Sequence, residues 1–148
     1  MEVQADFRDL LALFNAHKVE YMIIGGYALA FHGAPRYTGD FDIFARPDSE
    51  NAQRILAALD EFGFGSVGLS AADFESLDKV VQLGIPPVRI DIITSLTGVS
   101  WEKAIAGRVE GQYGGISTHY IGREQFVTNK RATGRKRDLA DLDTLGED

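Results

Sequence analysis

A short apolar segment with two regularly spaced carboxylates, Gly39-Asp40-Phe41-Asp42-Ile43-Phe44, places the strongest constraint on the fold of this chain. In an extended strand, side chains two positions apart project from the same face, so Asp40 and Asp42 share one face and Phe41 lies on the other. Two neighbouring carboxylates repel each other and are costly to bury. The segment therefore predicts a strand whose acidic face either binds a cation or lies at a solvated strand end.

A second apolar segment carries a third carboxylate. The run Val88-Arg89-Ile90-Asp91-Ile92-Ile93 is rich in β-branched residues and is the clearest strand pattern in the sequence. Burying Asp91 without a partner would be costly or would raise its pKa. We therefore expect Asp91 to have a partner.

A glycine pair joins another predicted strand to a helix. The apolar run at residues 19–24 ends at Gly25-Gly26, and helix-forming residues follow as far as Gly33. Such a junction presents backbone N–H groups and the positive end of the helix dipole to a bound anion, for which phosphate is the expected ligand. Taken alone, the pair more often marks a simple turn, because glycine is the ordinary residue of tight turns.

The remaining segments predict further elements around these three. Helices are expected near residues 3–15, 50–62 and 100–106 and in two pieces from residue 123 onwards, broken at Thr133-Gly134; strands are expected at 37–45, 79–83, 108–113 and 116–121, with a tight turn at 84–87. Ser49 is expected to cap the helix that follows it. Residues 63–68 match a dinucleotide-binding glycine pattern, but they follow a helix, so we interpret them as a helix end and a loop.

Composition excludes several kinds of chemistry. The 148-residue chain has no cysteine, which excludes disulfides, thiolate metal sites and a cysteine nucleophile. Its length fits one domain over residues 1–148. The formal net charge of −7 argues against a surface that attracts nucleic acid as a whole, and no apolar run reaches the roughly 20 residues that span a bilayer. We expect a cytoplasmic protein without a membrane partner.

Three aspartates and a glycine turn together indicate metal-dependent phosphate chemistry. Carboxylate oxygens suit Mg²⁺, which usually shares its coordination with substrate phosphates. Two such ions can activate an attacking oxygen and stabilise the leaving oxygen in phosphoryl transfer. The glycine pair would then hold the phosphates.

Four segments carry a resemblance to a known family. They are Gly25-Gly26, Asp40-Phe41-Asp42, Arg89-Ile90-Asp91-Ile92, and the stretch from Asn129-Lys130-Arg131-Ala132 to Arg137-Asp138-Leu139-Ala140-Asp141-Leu142. In this order they resemble the polymerase-beta-type nucleotidyltransferases, and most closely the small bacterial members related to abortive-infection (AbiEii-type) and toxin–antitoxin nucleotidyltransferases. The resemblance covers residues 19–145 and implies an α+β fold, with a mixed β-sheet flanked by helices and a helical C-terminal segment.

The resemblance also implies a catalytic metal site. Asp40 and Asp42 would ligate two Mg²⁺ ions, and Asp91 would complete one of the two sites and orient the attacking hydroxyl. These three residues would therefore be both the metal ligands and the catalytic residues.

For the nucleotide, the resemblance implies contacts from Gly25, Gly26 and the following Tyr27, with Lys130 neutralising the triphosphate. Many family members have serine or threonine at the position of Tyr27, where a hydroxyl reaches the phosphates. Tyr27 is therefore the point at which this sequence departs from the family pattern.

Five basic residues stand just before an acidic segment near the C-terminus: Lys130, Arg131, Arg135, Lys136 and Arg137. They either contact a nucleic-acid acceptor or offset the acidic residues 138–143, and the second interpretation is slightly favoured. Asp138 and Asp141 lie one helical turn apart, so we expect them to pair with Lys130 or the arginines in a structural role.

The predicted function is an Mg²⁺-dependent nucleotidyltransferase that moves a nucleoside monophosphate from a triphosphate, such as ATP, to a hydroxyl. The acceptor, whether a protein, an RNA end or a small molecule, stays open. The main alternative is a catalytically idle member acting as an antitoxin or interaction module with a toxin–antitoxin partner, favoured by Tyr27 and by the acidic charge. A metal-dependent phosphodiesterase is a third possibility.

Overall fold

One mixed β-sheet organises the described residues. The structure is a computed structural model, and it describes residues 3–36, 38–85 and 87–147. Its helices and strands are α1 (Ala5–Ala16), β1 (Tyr21–Ile24), α2 (Gly25–Phe31), β2 (Asp40–Ala45), α3 (Ser49–Leu59), β3 (Val80–Leu83), β4 (Arg89–Ile93), α4 (Trp101–Ala106), β5 (Val109–Tyr113), β6 (Ile116–Tyr120), α5 (Arg123–Thr133) and α6 (Lys136–Leu145).

The strand order of the sheet is β3-β4-β2-β1-β6-β5. β2 pairs in parallel with β4 and antiparallel with β1, and β1 pairs in parallel with β6. The antiparallel pairs β3–β4 and β5–β6 complete the two edges. This mixed sheet with flanking helices confirms the predicted fold class.

Strand β2 separates an apolar face from an acidic one, as its alternating pattern predicts. Phe41 and Ile43 are fully buried, whereas Asp40 and Asp42 are half-buried. Helix α1 covers the apolar side, and the ring of Phe7 stacks on Phe41 with 4.5 Å between centroids. Burial of this face fixes the direction in which the two carboxylates point.

Two helix boundaries differ from the sequence prediction. Asp48, not Ser49, caps α3, and its carboxylate accepts a hydrogen bond of 2.7 Å from the N–H of Asn51. Both residue types cap well, but a carboxylate also complements the positive end of the helix dipole. Helix α3 ends at Leu59, three residues before the predicted end. A π-helical turn follows it, in which Gly63 has φ 115°.

The C-terminal helices form as predicted, in two pieces. Gly134 ends α5 in the left-handed conformation, with φ 60°, which glycine adopts without steric cost. Two predicted elements include residues outside the described ranges: Tyr37 of the two-aspartate strand and Pro86 of the turn before β4. Across the described ranges, no helix combines the length and the apolar character needed to cross a membrane.

Candidate active site

Parallel pairing of β2 with β4 brings the three predicted carboxylates together. The register places Asp42 directly opposite Asp91, and Asp40 shares the face of Asp42. One carboxylate oxygen from each of the three residues lies within 4.8 Å of the other two. Asp40, Asp42 and Asp91, hereafter the triad, therefore form one cluster that could hold a metal ion.

The electrostatics of the triad favour a cation. Burial, together with the neighbouring charges of Asp91 and Asp40, raises the pKa of Asp42 to about 6, against smaller opposing effects of Lys130 and Arg137. A divalent cation bound to these oxygens would stabilise the ionised form instead. Three converging hard oxygen donors fit the coordination preferences of Mg²⁺.

The glycine pair packs closely against Asp42 and Thr38. Gly25 has φ 68°, and a β-carbon at this position would overlap the carboxylate of Asp42. A β-carbon at Gly26 would lie 2.9 Å from the methyl group of Thr38. Both glycines therefore permit the first turn of α2 to approach the acidic strand closely, a constraint that the sequence alone did not separate from an ordinary turn.

Tyr27 lies away from the triad, in the aromatic core. Its ring makes edge contacts with Phe7, Phe41 and Tyr113 at centroid distances of 5.7, 5.1 and 5.7 Å. Phe41 marks the apolar face of β2, so Tyr27 packs on the side of the sheet opposite the carboxylates. Tyr27, named from the sequence as part of the nucleotide site, is therefore not brought to the triad by the fold.

The triad opens into a cavity of about 310 Å³, hereafter the triad cavity. Its lining combines backbone, acidic, basic and hydroxyl groups, contributed by Gly25, Arg36, Thr38, the triad, Asn129, Lys130, Thr133, Arg135 and Arg137 among others. Cationic side chains of this kind bind anionic ligands, and carboxylates of this kind bind metal ions. The cavity therefore offers partners for a metal-bound phosphate compound.

Lys130 reaches this cavity from within a buried ion network. Its Nζ lies 3.3 Å from Oδ1 of Asp138 and 3.7 Å from Oδ2 of Asp141. The Arg36 guanidinium binds Asp141 through two hydrogen bonds of 2.8 and 3.2 Å, and that of Arg135 binds Asp138 through two of 2.8 and 3.1 Å. The structural pairing expected for both aspartates is confirmed, and three cations face two carboxylates.

The Asp138 carboxylate is the centre of this network. Burial alone would raise its pKa, but hydrogen bonds from Arg135 and Thr133, together with the charge of Lys130, hold the pKa well below its ordinary value. Asp138 is fully buried and remains ionised because its partners satisfy it. The network fastens α5 and α6 to the loop before β2 that carries Arg36.

Arg137 differs from the other cations that line the cavity. It is exposed, and among the described residues no ion pair or hydrogen bond involves its side chain. Its charge nevertheless lowers the pKa of Asp42, so its field reaches the triad. Arg131 and Lys136, by contrast, are not among the residues that line the cavity. The structure thus separates the basic cluster into residues that face the triad cavity and residues that do not.

Two further residues, Thr38 and Arg89, contact the triad but do not belong to the site predicted from the sequence. Thr38 forms a turn with Asp40, in which its hydroxyl accepts from the Asp40 N–H at 3.2 Å and donates to the Asp40 carbonyl at 3.2 Å. Arg89 binds Asp91 through two hydrogen bonds of 3.0 and 3.1 Å. The two-residue spacing that linked Asp40 to Asp42 would also have linked Arg89 to Asp91.

Comparison with known proteins identifies the fold. Neither protein-family models nor curated proteins give a match to this sequence. Among solved structures, TM1012 from Thermotoga maritima, assigned as a nucleotidyltransferase, superposes with a TM-score of 0.60 at 18% identity, over 95% of this chain and 88% of that one. The lincosamide antibiotic adenylyltransferase LnuA, bound to lincomycin, gives 0.57 at 16% identity, over 99% and 98%.

A further structure with this likeness is ANT(2'')-Ia in complex with adenylyl-2''-tobramycin, with a TM-score of 0.60 at 13% identity, over 94% of this chain and 84% of that one. The chain therefore has a nucleotidyltransferase fold, as the resemblance in its motifs implied. At these identities the likeness extends to the fold alone. The function depends on the chemistry of the site.

Proposed function

We propose that this protein is an Mg²⁺-dependent nucleotidyltransferase that transfers a nucleoside monophosphate from a nucleoside triphosphate to a hydroxyl group and releases pyrophosphate. The observation that carries the proposal is the convergence of three carboxylates within 4.8 Å, in a cavity that also presents cationic side chains. The nucleotidyltransferase fold of the chain supports it. The proposed donor substrate is a cytoplasmic metabolite, so we place the reaction in the cytoplasm.

The triad would hold the metal and orient the attacking group. Asp40 and Asp42 would ligate two Mg²⁺ ions, with Asp91 completing one site. When bound, such ions neutralise the phosphates and stabilise the attacking and leaving oxygens. Asp91 would accept the hydrogen bond of the acceptor hydroxyl, which aligns that oxygen for attack and gives its proton a place to go.

The triphosphate would bind between the glycine turn and the C-terminal cations. Gly25 lets the backbone approach the triad closely, and Arg137 brings a positive charge to the cavity without forming an ion pair with a carboxylate of the described residues. Lys130 would contribute mainly by holding α5 and α6 in place, because Asp138 and Asp141 already neutralise it. We do not assign Tyr27 to the nucleotide, since it packs in the aromatic core.

Small hydroxylated compounds are the first candidates for the acceptor. LnuA was solved with lincomycin, and ANT(2'')-Ia with an adenylylated tobramycin. ATP is accordingly the first donor to test, and a small hydroxylated molecule the first acceptor. Hydroxyl groups of proteins and of RNA are the alternative acceptors.

The test is incubation of the purified protein with a cell lysate, Mg²⁺ and each triphosphate, labelled either at the α- or at the γ-phosphate. Transfer of a monophosphate puts the α-label on a product and leaves the γ-label in pyrophosphate. The Asp40→Ala/Asp42→Ala double variant is the matched control and should give no labelled product. Labelling that is equal in the double variant would contradict the proposal.

Two alternative results would redirect the assignment. Release of free monophosphate without transfer would favour a phosphodiesterase. Nucleotide binding without turnover, together with a tight complex with a partner protein, would favour the idle antitoxin or interaction module.

A further inference from the structure

Arg89 forms an ion pair inside the candidate site that the proposed reaction does not use. Its Nε lies 3.0 Å from Oδ1 of Asp91, and its Nη2 lies 3.1 Å from Oδ2 of the same carboxylate. The Nε atom is also 3.5 Å from Oδ1 of Asp40. One guanidinium therefore contacts two of the three carboxylates that would bind metal.

Strand geometry fixes this arrangement. Arg89 pairs across the sheet with Asp40 and stands two residues before Asp91, so all three side chains share one face of β2 and β4. The Arg89 side chain is 31% exposed, and the Asp91 side chain only 12%. Arg89 thus contacts the triad from a strand rather than from a loop.

The charge balance shows what Arg89 does in the absence of metal. One oxygen from each of the three carboxylates lies within 4.8 Å of the other two, so their negative charges repel one another. A guanidinium binds a carboxylate through two parallel hydrogen bonds, which makes it an effective counter-charge. The same positive charge opposes the entry of a second cation.

We propose that Arg89 is a positioning residue that acts as the resident counter-cation of the triad, and that a divalent metal ion must compete with it for Asp91 and Asp40. This inference rests on the proposed function, because it takes the triad to be a metal site. Arg89 holds the carboxylates together without metal and lowers their affinity for an added cation. The triad is consequently a weak metal site until the guanidinium moves or its charge is offset.

The test is a calorimetric titration with Mn²⁺ alone, without nucleotide, on the wild type, Arg89→Gln and Arg89→Lys, with urea unfolding of the metal-free proteins in parallel. Arg89→Gln should bind Mn²⁺ about tenfold more tightly, as expected when one unit charge beside a divalent ion is removed. Its metal-free form should be less stable. Arg89→Lys keeps the charge and should bind Mn²⁺ much as the wild type does.

A matched control is available at the far end of the neighbouring strand, β2. Arg46 follows β2 at its other end and pairs with Glu20 and Asp48 at 3.0 and 2.9 Å, outside the triad cavity. Arg46→Gln removes the same charge and should leave Mn²⁺ affinity unchanged. Tighter binding confined to Arg89→Gln supports the proposal, and an equal gain in Arg46→Gln would reduce it to an effect of net charge and overturn it.

The remaining outcomes separate this inference from the proposed function. Mn²⁺ binding by the wild type, with equal or weaker binding by Arg89→Gln, overturns the role of Arg89 and leaves the proposed function standing. Absence of Mn²⁺ binding in all four proteins overturns both. If Arg89→Gln does not fold, NMR of the wild type decides, because the Nε–H signal of Arg89 should shift on saturation with Mg²⁺, and an unchanged signal overturns the proposal.

Discussion

At the scale of the residue, Asp42 lies in surroundings that disfavour its negative charge. Asp42 is held beside two other carboxylates, and burial together with their charges raises its pKa to about 6. At neutral pH the carboxylate is ionised, and its charge lowers the stability of the native state relative to the unfolded chain. Retaining such a residue on an otherwise well-packed strand fits a role in ligand binding better than a role in stability.

Asp42→Asn should stabilise the metal-free protein while removing metal binding. The pKa is raised on folding, so the ionised carboxylate lowers stability increasingly from about pH 4 to pH 6 and fully above that. We expect the variant to be about 3 kcal/mol more stable than the wild type at pH 7, and about equal to it near pH 4. Urea unfolding at the two pH values measures this, and a less stable variant at pH 7 would contradict it.

Arg137→Ala should weaken triphosphate binding by about tenfold, the value of one charge-assisted contact. Lys136→Ala is its matched control, because Lys136 is adjacent and exposed but does not line the cavity. Calorimetry with the preferred triphosphate in Mg²⁺ compares the two variants. Equal losses in both would show a general effect of surface charge rather than a contact from Arg137.

Tyr27→Phe should leave triphosphate affinity unchanged, since the ring packs among Phe7, Phe41 and Tyr113. Tyr27→Ala, by contrast, should reduce the free energy of unfolding by about 3–5 kcal/mol through loss of buried aromatic packing. Binding and unfolding measurements on both variants separate the two roles. A large loss of affinity in Tyr27→Phe would restore the tyrosine to the nucleotide site.

At the scale of the element, a buried ion network joins α5 and α6 to the loop before β2. Asp138 receives hydrogen bonds from Arg135 and Thr133 and lies 3.3 Å from the Lys130 ammonium. Arg36 extends the network to Asp141 on the next turn of α6. Because Lys130 and Arg137 lie on the two helices that this network orients, the position of the cations depends on it.

Asp138→Asn should reduce the free energy of unfolding by about 3 kcal/mol at pH 7, because the buried Lys130 ammonium loses the nearer of its two carboxylates. Folding lowers the pKa of Asp138, so its contribution is present above about pH 4 and is lost as the pH falls further. The difference between variant and wild type should therefore shrink in acid. Thermal or urea unfolding from pH 7 to pH 3 follows this, and a difference independent of pH would contradict it.

At the scale of the whole molecule, local pattern predicted most elements and the three carboxylates. The spacing of Asp40, Asp42 and Asp91 within apolar runs is a property of single strands, so the sequence contains it. That β2 and β4 are parallel neighbours, with Asp42 opposite Asp91, depends on pairing between distant segments. From the sequence, the proximity of Asp42 to Asp91 could be inferred only through the resemblance to a family.

The orientation of individual side chains was not predictable in the same way. Tyr27 follows the glycine pair in sequence, but its rotation about α2 directs it to the aromatic core. Lys130 and Arg137 belong to one basic cluster in the sequence, yet burial and pairing with Asp138 distinguish them. Such distinctions depend on tertiary packing, which overrides the order of residues along the chain.

The central claim is that the triad and the cations around it form a site for a metal-bound nucleotide. The most direct measurement is calorimetric titration of the wild type and of Asp40→Ala/Asp42→Ala with ATP, GTP, CTP and UTP, each with Mg²⁺ and with a chelator. At least one triphosphate should bind the wild type in Mg²⁺ only, and the double variant should not bind it. Absence of binding by every triphosphate, or equal binding by the double variant, would show that the triad is not a site for a metal-bound nucleotide.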